Sequence, residues 1–417
     1  MPAIQNRADR SARVSITRQP IFDENRRLWG YALVSKEAPE STAINVAASA
    51  YMGIRQILKK GQRILLAFDE QGILDDLPYV LPPVLAAVQV DEAVFLNPAV
   101  PGILERLRAD GYLIAVGEFS GGQAFHGLYQ MADIITLPDA DTNPPAAAFP
   151  PVVHDTHARI LARRVDDAIR FERCGQAGAT LFEGAFFKHP YTVTLPRMTT
   201  NAASRRRLLP WIEQPDPDMA DLAEAIQADA VLGFRLLAYI NAEAFGFLHN
   251  IKSIHHAVHL LKWPRLKAWL QAVLLNDDAQ PTENSDVPAR AARRGKFMEL
   301  VAQSHDFWGF DPESLHLLGL FSLLDAHLGI AMDELVALLP IENKLKGALR
   351  GETNNEYLPL LQLAQCVEDI TCEQADIKMQ RLNLDHQKVA EALKSAAQWA
   401  ERLTALPIGN PNSPIDR

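Results

Sequence analysis

The hydrophobic period of this chain changes once, near Pro196, and that change restricts the fold more than any other feature. From about residue 13 to 190, short runs rich in β-branched and aromatic residues alternate with helical patterns. The predicted strands are Val14–Ile16, Leu28–Val34, Arg63–Phe68, Ala93–Leu96, Tyr112–Val116, Asp133–Leu137, Arg159–Leu161 and Ala179–Phe182. Between them, Ala43–Lys59, Val100–Ala109 and Gln123–Gln130 carry the period of helices. Repeated strand and helix in alternation predicts a parallel sheet closed into an α/β barrel. Asp139–Pro151, rich in Pro, Ala and Asp, reads as a loop where another helix is due, so the barrel is expected to be trimmed.

Beyond Pro196 only helical periods remain: Met219–Gln227, Val231–Asn241, Ile254–Leu274, Lys296–His305, Pro312–Leu328 and His386–Leu403. An all-α domain is expected there, with Asp385 capping its last helix. Asn276–Arg294 is polar and reads as a flexible connection. A chain of 417 residues suits two domains. The expected division is a barrel at 13–195, a linker at 196–206, a helical domain at 207–405 and a disordered tail at 406–417.

Composition removes several classes of function. A net charge of −10 disfavours nucleic acid, and the basic run Arg205-Arg206-Arg207 is set in acidic sequence. No apolar run approaches the roughly 18 residues needed to cross a bilayer, and the opening residues carry no signal-peptide pattern, so a cytoplasmic protein is expected. Cys174, Cys366 and Cys372 form no CxxC pair, so neither a disulfide framework nor a thiolate zinc site is expected.

Arg18-Gln19-Pro20-Ile21-Phe22-Asp23, followed by Leu28-Trp29-Gly30-Tyr31-Ala32-Leu33-Val34, resembles the opening of the EAL family, cyclic-di-GMP phosphodiesterases built on a (β/α) barrel. Gly117-Glu118-Phe119-Ser120 resembles the family's DDFG, Ala132-Asp133-Ile134-Ile135-Thr136 its ADIIK, and Leu161-Ala162-Arg163-Arg164-Val165-Asp166 its LAEKVE. Phe182-Glu183-Gly184-Ala185-Phe186-Phe187-Lys188-His189-Pro190 resembles its FQGYFFxKP. The strings occur in family order over nearly 180 residues.

An EAL enzyme holds two divalent cations on carboxylates at the ends of its strands. The resemblance places Ala32, Ala67, Asn97, Gly117 with Glu118, Thr136, Arg163 and Glu183 at the family's ligand positions. A lone Glu118 does not meet the several oxygen ligands each hard cation needs, and Arg163 puts a cation where a metal would sit. No catalytic residue, no metal and no cofactor is therefore expected. A vestigial nucleotide site would consist of Lys36, Glu118, Arg163 and Glu183. Lys36 lacks the bidentate fork of an arginine, and the two glutamates oppose a phosphate, so cyclic-di-GMP binding is not expected.

Asp229-Ala230-Val231-Leu232 through Asn241-Ala242-Glu243-Ala244-Phe245, then Ile251-Lys252-Ser253-Ile254, then Leu317–Asp325, resembles the HDOD family over about residues 205–405. HDOD is a helical relative of the HD hydrolases regarded as a regulatory module, and the resemblance places the HD-equivalent pair at Ser322-Leu323. The literal pair His305-Asp306 therefore reads as a helix-terminal polar pair. His249, His255, His256 and His259 lack a completing carboxylate for a metal. His154-Asp155 reads as loop, and Gly117–Gly122 as a strand-to-helix turn without phosphate-loop spacing.

The expected protein is thus a non-catalytic bacterial signalling scaffold of EAL-HDOD type that contacts a protein partner through its helical half, with a homodimer open. The alternatives are a cyclic-di-GMP receptor without hydrolysis and a residual metal-dependent phosphodiesterase or phosphohydrolase.

Overall fold

A computed structural model of the chain describes residues 13–35, 62–117, 119–137, 156–186, 189–196, 200, 202–241, 245, 247, 250–276, 286–305, 309–368 and 374–405. The expected Ala43–Lys59 helix, the Asp139–Pro151 loop, His154-Asp155, Asp306, His249, the tail at 406–417, Lys36 and Glu118 lie outside these residues. The chain divides into two compact units. One comprises Met1–Arg197 with Glu243–Phe245 and Pro264–Asn276, and the other Met198–Ala242, Gly246–Trp263 and Asp277–Arg417.

The first unit is a closed barrel of eight strands. They are β1 (Arg13–Asp23), β2 (Leu28–Ser35), β3 (Arg63–Ala67), β4 (Ala86–Asp91), β5 (Leu113–Gly117), β6 (Ile134–Thr136), β7 (Arg159–Ala162) and β8 (Leu181–Glu183), with β9 (Tyr191–Pro196) added along β1. β2 to β8 run parallel. β1 is antiparallel to β2, β8 and β9, and closes the ring by pairing Ile21 with Gly30 on one edge and with Glu183 on the other. Each of the eight strands sends one residue into a common plug: Ile21, Ala32, Leu65, Ala87, Ala115, Ile134, Leu161 and Leu181. Because side chains alternate with period 2, the residues two positions further along β3 to β8 line the barrel mouth.

One predicted strand is misplaced. Ala93–Leu96 is not a strand: Glu92–Phe95 forms a single helical turn, and the fourth strand is Ala86–Asp91. Buried over its first five residues, β4 reads as an apolar run on both faces. Gln89 interrupts that run, so the aromatic stretch after it gave the stronger signal. β1 is also longer than expected, since Arg18, Gln19 and Pro20 lie within it.

The second unit is helical. Met219–Gln227 and Ala230–Ile240 form as expected, and the expected Pro312–Leu328 helix divides into Pro312–Phe321 and Leu324–Leu328. Helices at Ala202–Ile212, Met332–Leu338, Asn343–Leu349, Leu358–Glu368 and Ala375–Arg381 carry no period long enough to have been singled out. Part of the expected polar connection is also helical, because Val287–Ser304 begins with Pro288 in its first turn and packs on Pro312–Phe321. A Cβ at Gly319 would meet the Arg294 backbone and the Gly295 Cα at 2.8 Å, so these two helices approach backbone to backbone. Ile254–Asn276, which belongs to the first unit from Pro264 onward, is broken at Lys262, whose φ of 59° and ψ of 164° belong to a region that favours glycine. Cys366 is disulfide-bonded, contrary to the expectation that the cysteines form no disulfide, while Cys174 is free.

Asp229 ties local sequence to packing. Its Oδ1 accepts the N–H groups of Val231 at 2.9 Å and Leu232 at 3.0 Å, capping the Ala230–Ile240 helix from a buried position. Arg207 beside it donates to the carbonyls of Ala225 and Leu403. Asp229→Ala is expected to lower stability by about 1–2 kcal/mol in urea unfolding, with Asp229→Asn much closer to the wild type. Equal losses in both variants would remove capping as the cause.

Candidate functional site

At the barrel mouth the strand ends present Ala67, Gln89 and Asp91, Gly117, Thr136, Arg163 and Glu183. Ala32 belongs to the plug beneath. Gly117 pairs with Asp91, and a side chain there would run into the Asp91 carboxylate and come within 2.7 Å of the Gln89 amide nitrogen. That space is therefore filled from β4. Thr136 is 1% exposed, and its hydroxyl has no hydrogen-bond partner among the described residues.

Arg163 and Glu183, predicted as part of one site, do meet: Arg163 Nε lies 3.4 Å from Glu183 Oε2. The carboxylate is buried, which strengthens its attraction to the guanidinium relative to a pair in water. Gly184 fixes this geometry. A Cβ at Gly184 would overlap the Val165 carbonyl, and the Val165 N–H donates to the Glu183 carbonyl at 2.9 Å. Asn97 does not reach the mouth. It follows the Glu92–Phe95 turn, donating to Glu70 Oε1 at 2.7 Å and accepting from the Ala99 N–H. The β4 residues at the mouth are Gln89 and Asp91, which the misplaced strand concealed.

Glu92 also escaped the sequence reading. Its buried carboxylate accepts the Ser120 N–H at 2.7 Å, the Ser120 hydroxyl at 2.6 Å and the Tyr129 hydroxyl, and so anchors the turn after β5. Burial, followed by the hydrogen bond to Glu92, pushes the Tyr129 phenol up to about 12. This carboxylate has its acceptor capacity committed to the loop.

The EAL resemblance implies two divalent cations at the mouth. Among the described residues the carboxylates there are Asp91 and Glu183, and Glu183 already faces a guanidinium; Glu118 lies outside them. No group of three or more potential ligands occurs among the described residues of either unit.

The family description "HDOD domain" matches residues 198–324. The helical half carries an HDOD domain. A Bacillus subtilis (strain 168) protein described as uncharacterized protein YuxH is 24% identical over 413 residues, 94% of this chain and 99% of the relative. Cyclic di-GMP phosphodiesterase CdgJ of Vibrio cholerae is 23% identical over 407 residues, 94% of this chain and 93% of the relative. Among solved structures, the PaMucR phosphodiesterase in a c-di-GMP complex aligns with a TM-score of 0.36 at 17% identity, covering 42% of this chain and 96% of that one.

Within the HDOD domain, Asn241 joins two stretches of the motif. Its amide donates to the carbonyls of Leu237 and Ile251, and its oxygen accepts the Ile251 N–H at 2.6 Å. At Ser322, where the HDOD resemblance places the HD-equivalent pair, the hydroxyl receives Arg294 Nη1 at 2.8 Å and donates to the Gly319 carbonyl. Arg294, 3% exposed, also holds Glu368 through two bonds of 2.7 and 2.6 Å. His305 ends its helix as expected: Nδ1 reaches the Val301 carbonyl at 2.9 Å, and Nε2 accepts the Asp385 N–H at 3.3 Å. This satisfies both ring nitrogens of a neutral imidazole, leaving no free lone pair for a metal.

Glu299 gathers three side-chain partners in the HDOD domain. His316 Nδ1 lies 3.0 Å from it, Lys296 Nζ 2.8 Å and Gln303 Nε2 3.2 Å. Burial would raise its carboxyl, but the bonds and charges of His316 and Lys296 outweigh that and hold it at about 2, below the ordinary 4.5. The sign follows from linkage. A depressed folded-state value contributes stability that is complete above the unfolded value and is lost as pH falls from about 4.5 to about 2. Wild type is expected to lose up to about 3 kcal/mol across that window, and Glu299→Gln to show a flatter profile from a lower plateau. Identical slopes in acid titrations of the two proteins would contradict this assignment.

Proposed function

We propose that this chain is a signalling protein that acts by binding a protein partner through its HDOD domain, and that its barrel serves as a scaffold that does not hydrolyse a cyclic dinucleotide. The observation that carries this reading is the charge contact of Arg163 with Glu183 at 3.4 Å, a cation among the strand ends where the EAL resemblance asks for metal ligands. Ala32, Ala67, Gly117 and Thr136 supply no carboxylate at four of the remaining positions, which leaves Glu118 and the neighbouring Asp91 short of the several oxygen ligands that two hard cations need.

The name of the Vibrio relative favours a second reading, a barrel that still engages cyclic-di-GMP. Thermal unfolding separates the two. A ligand bound at a hundredfold excess over its dissociation constant stabilises a protein by about 2.7 kcal/mol. No rise in Tm is expected with millimolar cyclic-di-GMP, with or without Mn²⁺. A saturable rise that disappears in Arg163→Ala would establish the nucleotide receptor instead.

A further inference from the structure

Ile254–Asn276 is two helices that belong to different units, and the residue joining them is strained. Ile254 packs beside Gly233 in the helical unit, where a Cβ on that glycine would meet the Ile254 Cδ1 at 2.9 Å. From Pro264 onward the chain is part of the barrel unit. Lys262 joins the two at φ 59° and ψ 164°, a region that is essentially glycine's own. We propose that Pro264–Asn276 is an exchangeable arm, which docks on its own barrel in the single chain and on the barrel of a second copy in a domain-swapped dimer.

The arm is built as a ligand of the barrel unit. Leu266, Trp269, Leu270, Val273 and Leu274 recur at helical spacing along one stripe, and each is 1% exposed or less. Basic residues at its start act on groups of the barrel unit. Burial pushes the Tyr112 phenol up, and the Arg265 charge opposes that rise. Burial likewise raises the Asp76 carboxyl, against which the charges of Arg106 and Lys267 act. The surface that takes the arm therefore matches one sequence in both shape and charge, and a second copy carries that same sequence.

Exchange needs no new interface, because each barrel receives the same helix in either form and only the connection differs. A strained connection favours it. The strain at Lys262 does not relax by straightening the helix: Pro264 lacks the N–H for an α-helical bond, and its ring would meet the Leu260 carbonyl. It relaxes when the arm leaves Lys262 at another angle, which is what reaching a second barrel requires. The swapped pair thus repeats the docking contacts of the single chain and releases strain at both hinges. Undocking the apolar stripe is the slow step, so the two forms interconvert slowly.

The test uses the full chain. Sedimentation of concentrated protein is expected to find a dimer beside the monomer, and each form, once separated, should persist through a second separation. Lys262→Gly accepts this backbone without strain and should weaken dimerisation at least about tenfold, while Lys262→Ala, strained as lysine is, should leave it unchanged. A charge exchange identifies the arm as the part that is swapped. Lys267→Glu in one copy and Asp76→Lys in another each set like charges against one another within a single chain. Unfolded and refolded together, the two variants should pair with each other in preference to themselves, since each barrel then receives an arm of opposite charge. Pairing through any other surface would give no such preference. Should Asp76→Lys fail to fold, the comparison of Lys262→Gly with Lys262→Ala decides alone. A chain that stays monomeric at every concentration, an association indifferent to Lys262→Gly, or random pairing of the two charge variants would each overturn the exchange.

Discussion

Arg294→Met is expected to lower the stability of the HDOD domain by about 3–5 kcal/mol, because it leaves the largely buried Glu368 carboxylate without the guanidinium that binds it twice. The loss should not reflect the net worth of the pair. Taking two charges out of water opposes their mutual attraction, so replacing both by apolar side chains of similar size removes the penalty along with the bond. Arg294→Met with Glu368→Leu is therefore expected to recover much of what the single variant loses. Urea unfolding of the three proteins decides the matter, and a single variant within about 0.5 kcal/mol of wild type would show that the ion pair is dispensable.

A fragment of residues 1–200 is expected to lack a cooperative unfolding transition. The barrel unit includes Pro264–Asn276, which such a fragment omits. Leu266, Trp269, Leu270, Val273 and Leu274 in that segment are all 1% exposed or less. At about 1.5–3 kcal/mol for each buried side chain, their loss rivals the whole stability of an ordinary domain, about 5–15 kcal/mol. The complementary fragment, 205–417, carries this apolar helix without the unit it belongs to, and should bind a hydrophobic dye or self-associate. A sharp, reversible melt of residues 1–200 by circular dichroism, with no dye binding, would contradict this assignment of the segment.

The barrel was legible because a strand buried among parallel neighbours writes a short apolar run: five of the eight predicted runs fall on observed barrel strands nearly end to end, and a sixth, Ala179–Phe182, overlaps β8 by two residues. The start of β1 was also found, but the polar Arg18-Gln19-Pro20 hid its length. β4 was missed because Gln89 breaks its apolar run, and with it went the mouth residues Gln89 and Asp91. The Arg163–Glu183 pairing could be anticipated, since both positions end neighbouring strands. Arg294 and Glu368 could not, because 74 residues separate them and only packing brings them together. The break at Lys262 did leave a trace, Pro264 two residues on inside the expected helix, although lysine itself carries none of the turn signal that glycine would. Glu299 and His316 lie 17 residues apart on different helices, and neither period nor motif joins them.

The most direct test of the account is turnover of cyclic-di-GMP by the purified full chain in Mg²⁺ and in Mn²⁺, followed by chromatography of the linear dinucleotide. The account predicts no product above the metal-only control, since Arg163 lies against Glu183 and the neighbouring strand ends supply Ala67, Gly117 and Thr136. Metal-dependent product that disappears in Glu118→Gln or Glu183→Gln would contradict it and make the barrel an enzyme.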